Sequence, residues 1–240
     1  MLKPRVVFVH TVPPLVEVFG ELAARMLPDV SVMHILDEPL LEHVRQRGGL
    51  HAEDGERLTA HVQEAAAIGA ATVLVTCSTV SPAVEWVRQR VAIPVLKIDE
   101  AMVAAAVEMG NRIAIIATNQ TTLAPTEQLL ADAAARIGRS IETELVLVER
   151  ALPALLAGDT ALHDQLVKAA VVAAAGSVDV IVLAQASIAR VLETGVAREI
   201  KTPILASPPL AMQQLAGVLA QKSQAKEDAP AAYEREKGES

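Results

Sequence analysis

The sequence contains very little cysteine and few aromatic residues. Cysteine occurs once, at Cys77, and Trp, Tyr and Phe together occur four times in 240 residues. A single cysteine excludes an intramolecular disulfide and a zinc site built on several cysteines. Because the formal net charge is −8 and few rings are present to stack on bases, we do not expect the chain to bind nucleic acid.

Long hydrophobic runs and metal-binding patterns are also missing. No uncharged apolar run approaches the roughly 20 residues that a membrane helix needs, so no membrane partner is expected. The six histidines show no HxH or HExxH spacing, and no metal site is predicted. The first apolar stretch stops at His10 without a cleavage site, which indicates a strand rather than a signal peptide. We therefore expect a cytoplasmic protein.

Short β-branched apolar segments alternate with Ala- and Leu-rich segments of helical spacing. The predicted strands lie at 5–11, 30–36, 72–77, 93–98, 112–118, 143–149, 178–184 and 202–207, and helices are predicted at 53–68, 122–137 and 160–175. The strand segments are apolar on both faces, which is typical of strands buried between layers of helices. The alternation predicts an α/β fold with parallel sheets.

The chain repeats itself at about half its length. RVVFVHT at 5–11 matches RIAIIAT at 112–118, and TVLVTCSTVS at 72–81 matches VDVIVLAQASIA at 178–189. This repeat predicts two similar lobes related by a pseudo-twofold, each a parallel sheet flanked by helices, with the active site in the cleft between them. The charged segment 222–240 is poor in apolar residues and is predicted to be a disordered tail.

Polar residues gather where four of the predicted strands end. Since carboxyl ends of parallel strands share one edge of a sheet, these loops are expected to converge on one crevice. Ser81 is predicted to cap a helix beginning at Pro82, which would place Cys77 near a positive helix end. The alternative is that the hydroxyls are ordinary turn and cap residues and that Cys77 is a core residue.

Two motifs, TCSTVSP at 76–82 and ATNQTTLAPT at 117–126, resemble the aspartate/glutamate/hydantoin racemase superfamily, which includes maleate isomerases and arylmalonate decarboxylases. The resemblance covers about residues 3 to 220 and implies a cofactor-independent enzyme that acts at the carbon next to a carboxylate of a small dicarboxylic or amino acid. In this family the chain crosses back at its end. The resemblance therefore assigns 1–99 plus 208–221 to the first lobe and 100–207 to the second.

The resemblance also implies a set of site residues. In the family each half offers one cysteine, because inverting a stereocentre needs a base on one face and an acid on the other. Gln185 stands where the second cysteine is expected, and an amide side chain is neither acid nor base. Cys77 is the predicted catalytic residue, and the predicted substrate-binding residues are Thr11, Pro13, Ser78, Thr79, Thr118, Asn119, Thr121, Thr122, Gln185 and Ser187.

Several activities stay open at this point. Cys77 could racemise a substrate together with His10, Ser187 or a water, could protonate an enolate formed by decarboxylation, or could add to a double bond in a cis–trans isomerisation. In the related isomerases the first-half thiol is the nucleophile, and the related decarboxylases carry their thiol in the other half, so the resemblance favours addition over decarboxylation. A catalytically degenerate protein that only binds carboxylates is the alternative outside enzymes. A homo-oligomer, dimeric or higher, is a possible assembly.

Overall fold

The computed structural model describes residues 3–227. The strands are β1 Arg5–His10, β2 Ser31–Leu36, β3 Ala70–Val75, β4 Val95–Lys97, β5 Arg112–Ala117, β6 Glu142–Leu147, β7 Val180–Leu183 and β8 Ile204–Ala206. The helices are α1 Pro14–Met26, α2 Glu38–Arg47, α3 Ala52–Ala67, α4 Val84–Arg88, α5 Glu100–Met109, α6 Gln120–Arg136, α7 Ala151–Leu156, α8 Thr160–Ala174, α9 Val196–Glu199 and α10 Ser207–Glu227. Short 3₁₀ segments follow β3 and β7, at Ser81–Ala83 and Ala186–Thr194.

The strands form two parallel four-stranded sheets flanked by helices. The strand order is β2-β1-β3-β4 in the first sheet and β6-β5-β7-β8 in the second. The two orders are the same when the second half is counted from β5, so the predicted α/β fold and the internal repeat are confirmed. The eight predicted strands and the three predicted helices all match elements of the structure to within a few residues.

The strand register makes the two halves comparable residue by residue. Val9 of β1 lies beside Val75 of β3, and Ile116 of β5 lies beside Leu183 of β7. Just beyond these pairs, the backbone N–H groups of Thr76 and Ala184 donate to Val9 and Ile116, each at 3.0 Å. Gln185 therefore occupies in the second sheet the position that Cys77 occupies in the first. By the same count, Thr118 corresponds to Thr11.

Two strands differ from the prediction that all eight are buried on both faces. Both β2 and β6 carry several exposed residues, among them Met33, Leu36 and Leu145. Each lies at an edge of its sheet and packs mainly against one helix, α1 for β2 and α6 for β6, whereas the opposite edge strands β4 and β8 are covered by α5 and α10 and stay largely buried. The central strands β1, β3, β5 and β7 are almost wholly buried, as predicted.

The last helix joins the two halves. Met212 and Leu215 of α10 belong to the core cluster that covers one face of the first sheet, whereas Leu210 packs against a core cluster of the second sheet. The helix continues to Glu227, so residues 222–227 of the predicted tail are helical, and 228–240 lie outside the described residues. Within residues 3–227, no helix combines the length and apolar character needed to cross a bilayer.

Candidate functional site

Cys77 lies just beyond the carboxyl end of β3. Its side chain is 9% exposed and belongs to the core cluster that contains Val75, Val80 and Val84. It carries the chain's one thiol and forms no disulfide. The sulfur thus sits at the rim of the first core, at the sheet edge where α/β proteins place their sites.

The loop after Cys77 is held differently from the prediction. The prediction that Ser81 caps a helix is wrong, because Ser81 makes no capping hydrogen bond and the chain forms one 3₁₀ turn before the five-residue helix α4. Instead, the Ser81 hydroxyl donates to Asp99 Oδ1 at 2.8 Å, and the Ser81 backbone N–H donates to the Cys77 carbonyl at 2.9 Å. The loop is therefore fixed by a buried carboxyl group rather than by a helix end.

Sequence reasoning missed Asp99. This residue follows β4 and is 3% exposed, and its Oδ2 atom has no hydrogen-bond partner among the described residues. Burial raises the pKa of Asp99 above that of an ordinary carboxyl group, against the opposing effects of the Ser81 hydrogen bond and the charge of Lys97. Asp99 shows the same sequence signal as the other candidates, because it is a polar residue directly after a buried strand.

Gln185 and Thr118 meet at the carboxyl ends of β7 and β5. The backbone N–H and the hydroxyl of Thr118 both donate to Gln185 Oε1, at 2.7 and 3.0 Å. Because a backbone N–H requires an acceptor, the side-chain oxygen must face Thr118 and the NH2 group must face away from it. No other described residue accepts a hydrogen bond from that NH2 group, so its protons are available to a ligand.

The remaining candidates of the second half serve local structure or lie at the surface. Asn119 Oδ1 accepts a hydrogen bond from the Thr121 backbone N–H at 3.2 Å and so caps α6. The carbonyl of Thr122 accepts from the Thr126 hydroxyl one turn later. Thr121 and Ser187 are exposed, whereas Thr122 is half-buried.

Thr11 is the first-half candidate with an unsatisfied polar group. Its side chain is 1% exposed, and its hydroxyl has no hydrogen-bond partner among the described residues, whereas the corresponding Thr118 hydroxyl binds Gln185. Thr11 lines an open cavity of about 610 Å³, together with His43 and Arg45 of α2. The hydroxyl itself is buried, so it is not exposed to this cavity.

The other first-half candidates are more accessible. Pro13 is exposed and stands at the N-cap of α1. After Cys77, Ser78 is half-buried and Thr79 is exposed. No hydrogen bond joins a first-half candidate to a second-half candidate in the part of the chain that the structure describes.

His10 lies on the opposite face of the first sheet from Cys77. It follows Phe8, whose face carries the α1 and α10 cluster, whereas Cys77 belongs to the other cluster. Its Nδ1 is 2.7 Å from Thr76 Oγ1 and its Nε2 is 2.9 Å from His34 Nδ1. Burial and, to a lesser extent, the nearby His34 lower the pKa of His10 to about 4. Both ring nitrogens are occupied, so His10 is not placed to act as the second acid.

The two strand ends that carry Cys77 and Gln185 belong to halves that touch. Ala186, directly after Gln185, packs against the first-half cluster that contains Phe8 and Leu74. This contact brings the end of β7 against the first half. Three or more His, Cys, Asp or Glu side chains do not cluster into a metal-binding group anywhere in residues 3–227.

The described fold resembles several solved racemases. Allantoin racemase from Klebsiella pneumoniae is 17% identical with a TM-score of 0.67, over 91% of this chain and 89% of that chain. An aspartate racemase homologue from Pyrococcus horikoshii is 11% identical with a TM-score of 0.72, over 91% and 99%. Glutamate racemase from Francisella tularensis is 12% identical with a TM-score of 0.68, over 93% and 83%. At these identities the likeness shows the fold alone.

The sequence itself also matches a known family. A comparison with curated proteins found no match. The family model of Asp/Glu/Hydantoin racemase matches residues 15–215, which include Cys77, Asp99, Thr118 and Gln185. The match spans most of the 240 residues and includes strands β2 to β8 of the two sheets. On this ground the chain belongs to the Asp/Glu/hydantoin racemase family.

Proposed function

We propose that this protein is a cofactor-independent isomerase of the racemase type, which acts at the carbon next to a carboxylate of a small dicarboxylic or amino acid and uses Cys77 as its single thiol. The observation that carries the proposal is the equivalence of Cys77 and Gln185 in the strand register. A thiol and an amide thereby stand at matching strand ends in two halves that touch.

The thiol is the group suited to proton transfer or nucleophilic attack at such a carbon. Its ordinary pKa of about 8.5 is close enough to neutral for a thiol to give and take protons near pH 7. Hydroxyl side chains such as Ser78 and Thr79 do not ionise in that range, and both ring nitrogens of His10 are engaged elsewhere. In racemisation, the proton for the second face would come from a water.

The amide is suited to hold a carboxylate or the negative charge that develops beside it. Thr118 fixes the Gln185 oxygen, so the two amide protons are directed to the other side. An oriented donor stabilises a developing oxyanion at no cost of reorganisation during the reaction. The Thr11 hydroxyl is buried without a partner among the described residues, and it would be a second donor in the first half if a ligand reached it. Together these donors would do the work of a cofactor in stabilising an enolate.

The test is turnover and hydrogen exchange of a panel of acids in heavy water, followed by NMR. The panel contains aspartate, glutamate, allantoin, a hydantoin, maleate and an arylmalonate. The wild-type protein should exchange or convert at least one of them. Cys77→Ala and Cys77→Ser should lose about 100-fold or more of that rate, because neither side chain offers a thiol. Ser177→Ala, which removes a hydroxyl bonded to Ala174 before β7, is the matched control and should retain the rate.

The pattern of products separates the open alternatives. Exchange of the α-hydrogen supports proton transfer by the thiol, whereas conversion of maleate without exchange supports addition of the thiol to the double bond. Loss of carbon dioxide from the arylmalonate supports decarboxylation. Undiminished turnover in Cys77→Ala would overturn the role of the thiol. A protein that turns over nothing but is protected by dicarboxylates from alkylation of Cys77 would be a binding protein instead.

A further inference from the structure

The two sheets differ in the residues that surround the ends of β3 and β7, where Cys77 and Gln185 lie. Val75 of β3 lies beside Lys97 of β4, and the Ile98 backbone N–H donates to the Val75 carbonyl at 3.0 Å. Lys97 is the last residue of β4, and Asp99 lies two residues beyond it, in a turn with helical backbone angles at the start of α5. Cys77 lies two residues beyond the end of β3, so the strand pairing brings the two loops that carry Cys77 and Asp99 to the same edge of the first sheet.

Ser81 connects the Cys77 backbone to the Asp99 side chain. Its backbone N–H donates to the Cys77 carbonyl, and its hydroxyl donates to Asp99 Oδ1. Ser81 is fully buried and Asp99 is 3% exposed, so this link is shielded from water. No hydrogen bond joins the Asp99 carboxyl directly to the Cys77 thiol among the described residues.

The second half has no such arrangement. The register matches Ser81 with Ala189 and Asp99 with Pro208, because Val75 corresponds to Leu183 and Lys97 to Ala206. The half that carries the thiol therefore has a buried carboxyl and a hydroxyl linked to its loop, and the half that carries the amide has neither. The link from Ser81 to Asp99 is thus specific to the half that carries the thiol.

We propose that Asp99 is a positioning residue for Cys77, which holds the 77–81 loop through Ser81 and whose carboxyl charge determines the pH range in which the thiol reacts. This inference rests on the proposed function, in which Cys77 is the reacting thiol. An ionised Asp99, linked through Ser81 to the Cys77 backbone, opposes formation of the thiolate, since like charges repel each other more strongly in a weakly solvated site than in water. A neutral Asp99 removes that opposition.

Other charged groups near Asp99 are already paired. Lys97, on the same strand, favours the ionised form of Asp99 and is bound to Glu85 of α4 at 2.7 Å. Glu100, the next residue, disfavours the ionised form of Asp99 and is bound to Arg88 at 2.8 Å. The element that contributes Ser81 carries no charge towards Asp99, and burial is the largest effect on its proton affinity. Burial in the protein interior is thus the main influence on whether Asp99 is protonated.

The test uses the rate of alkylation of Cys77 by iodoacetamide as a function of pH, which is unambiguous because the chain has one thiol. In Asp99→Asn the amide oxygen still accepts from Ser81 but carries no charge. The pH at which the rate reaches half of its maximum should therefore fall by about one unit relative to wild type. In Ser81→Ala the charge stays and the loop is released, so the rate should change by about fivefold with its midpoint near that of wild type.

The matched control is Asp179→Asn, at the amino end of β7, away from the strand ends that carry Cys77 and Gln185. It removes the same charge and should leave the alkylation profile unchanged. If Asp99→Asn and wild type give superimposable profiles, the role of Asp99 is refuted. If Asp99→Asn does not fold, the wild-type midpoint decides: a midpoint above the pKa of about 8.5 of a free thiol supports an opposing charge, and a midpoint at or below that value refutes one.

Failure of the proposed function would be recognised separately. Alkylation is measured without any substrate, so a shifted midpoint in Asp99→Asn would support the coupling of Asp99 to the thiol even if Cys77→Ala retained turnover. Conversely, loss of turnover in Cys77→Ala together with an unchanged Asp99→Asn profile would support the catalytic thiol and refute the positioning role of Asp99.

Discussion

His10 shows how burial makes one side chain sensitive to acid. Thr76 donates its hydroxyl proton to the Val9 carbonyl, so His10 Nδ1 must donate to Thr76 and Nε2 must accept from His34. A second proton on His10 would break the bond to His34 and place a charge in the core. The ring is therefore neutral in the folded protein at neutral pH.

We predict that the free energy of unfolding falls by about 3 kcal/mol between pH 7 and pH 4 because of His10. The unfolded chain takes up this proton near pH 6.5, whereas in the folded protein the pKa of His10 is about 4, so acid stabilises the unfolded state across that interval. Urea unfolding at a series of pH values measures the effect.

The control for this prediction is His10→Asn, whose amide can still donate to Thr76 but does not titrate. Its unfolding free energy should be lower than that of wild type at pH 7 and should vary less between pH 7 and pH 4. Equal pH dependence in the two proteins would show that His10 is not the responsible group.

At the same scale, the sequence predicts the correspondence of residues between the two halves better than it predicts their contacts. The sequence repeat aligns Cys77 with Gln185, and the strand register gives the same alignment. The partners of Ser81 and Asp99 were not foreseeable, because they lie 18 residues apart on neighbouring elements. A serine before a proline favours a helix cap locally, and a buried carboxyl group provides a stronger acceptor in the folded chain.

Gly110 and Gly217 are expected to respond oppositely to substitution by alanine. A Cβ at Gly110, between α5 and β5, would lie 2.2 Å from Asp179 Cβ, whereas nothing lies within 4 Å of the corresponding atom at Gly217 in α10. Asp179 accepts hydrogen bonds from the backbone N–H groups of Asn111 and Arg112 at 2.9 Å, so its displacement also affects β5.

We predict that Gly110→Ala lowers the free energy of unfolding by about 2 kcal/mol or more. The Asp179 side chain, whose carboxyl group accepts from two backbone N–H groups, cannot move away from the added methyl group without weakening those bonds. Gly217→Ala should raise it by about 0.5–1 kcal/mol, because alanine restricts the unfolded chain and favours an exposed helix. Urea unfolding of the two variants measures both effects. A similar change in both would contradict the clash at Gly110.

The edge strands show a limit of sequence prediction at the level of elements. The apolar letters of VSVMHIL at 30–36 predict a buried strand, and β2 does form there. Its exposure depends on the order of strands in the sheet, which a local run of residues does not encode. Element type and boundaries follow from the pattern of apolar residues, whereas burial follows from the neighbours that the topology supplies.

The whole molecule is expected to unfold as one cooperative unit, although it contains two sheets. Helix α10 contributes Met212 and Leu215 to a first-half cluster and Leu210 to a second-half cluster, and Ala186 packs against the first half. Unfolding of either half would therefore expose apolar surface of the other.

We predict that the fluorescence of Trp86, the single tryptophan, and the far-UV circular dichroism of the whole chain give the same midpoint in urea. Trp86 lies in α4 and reports on the first half, whereas circular dichroism reports on both halves. Met212→Ala, at a fully buried position, should lower both midpoints equally, with a loss of about 2–5 kcal/mol. Separate midpoints would show that the halves unfold independently.

The thiol at the end of β3 and the amide at the end of β7 also have a stereochemical consequence. If the proposed function holds and a planar carbon is bound between them, a hydrogen from these two side chains can reach it only from Cys77, because the glutamine has no proton to transfer at neutral pH. A hydrogen delivered in this way creates one enantiomer, and inversion then requires a water on the Gln185 side. The difference between one cysteine and one glutamine would in that case give two like halves opposite roles towards a substrate.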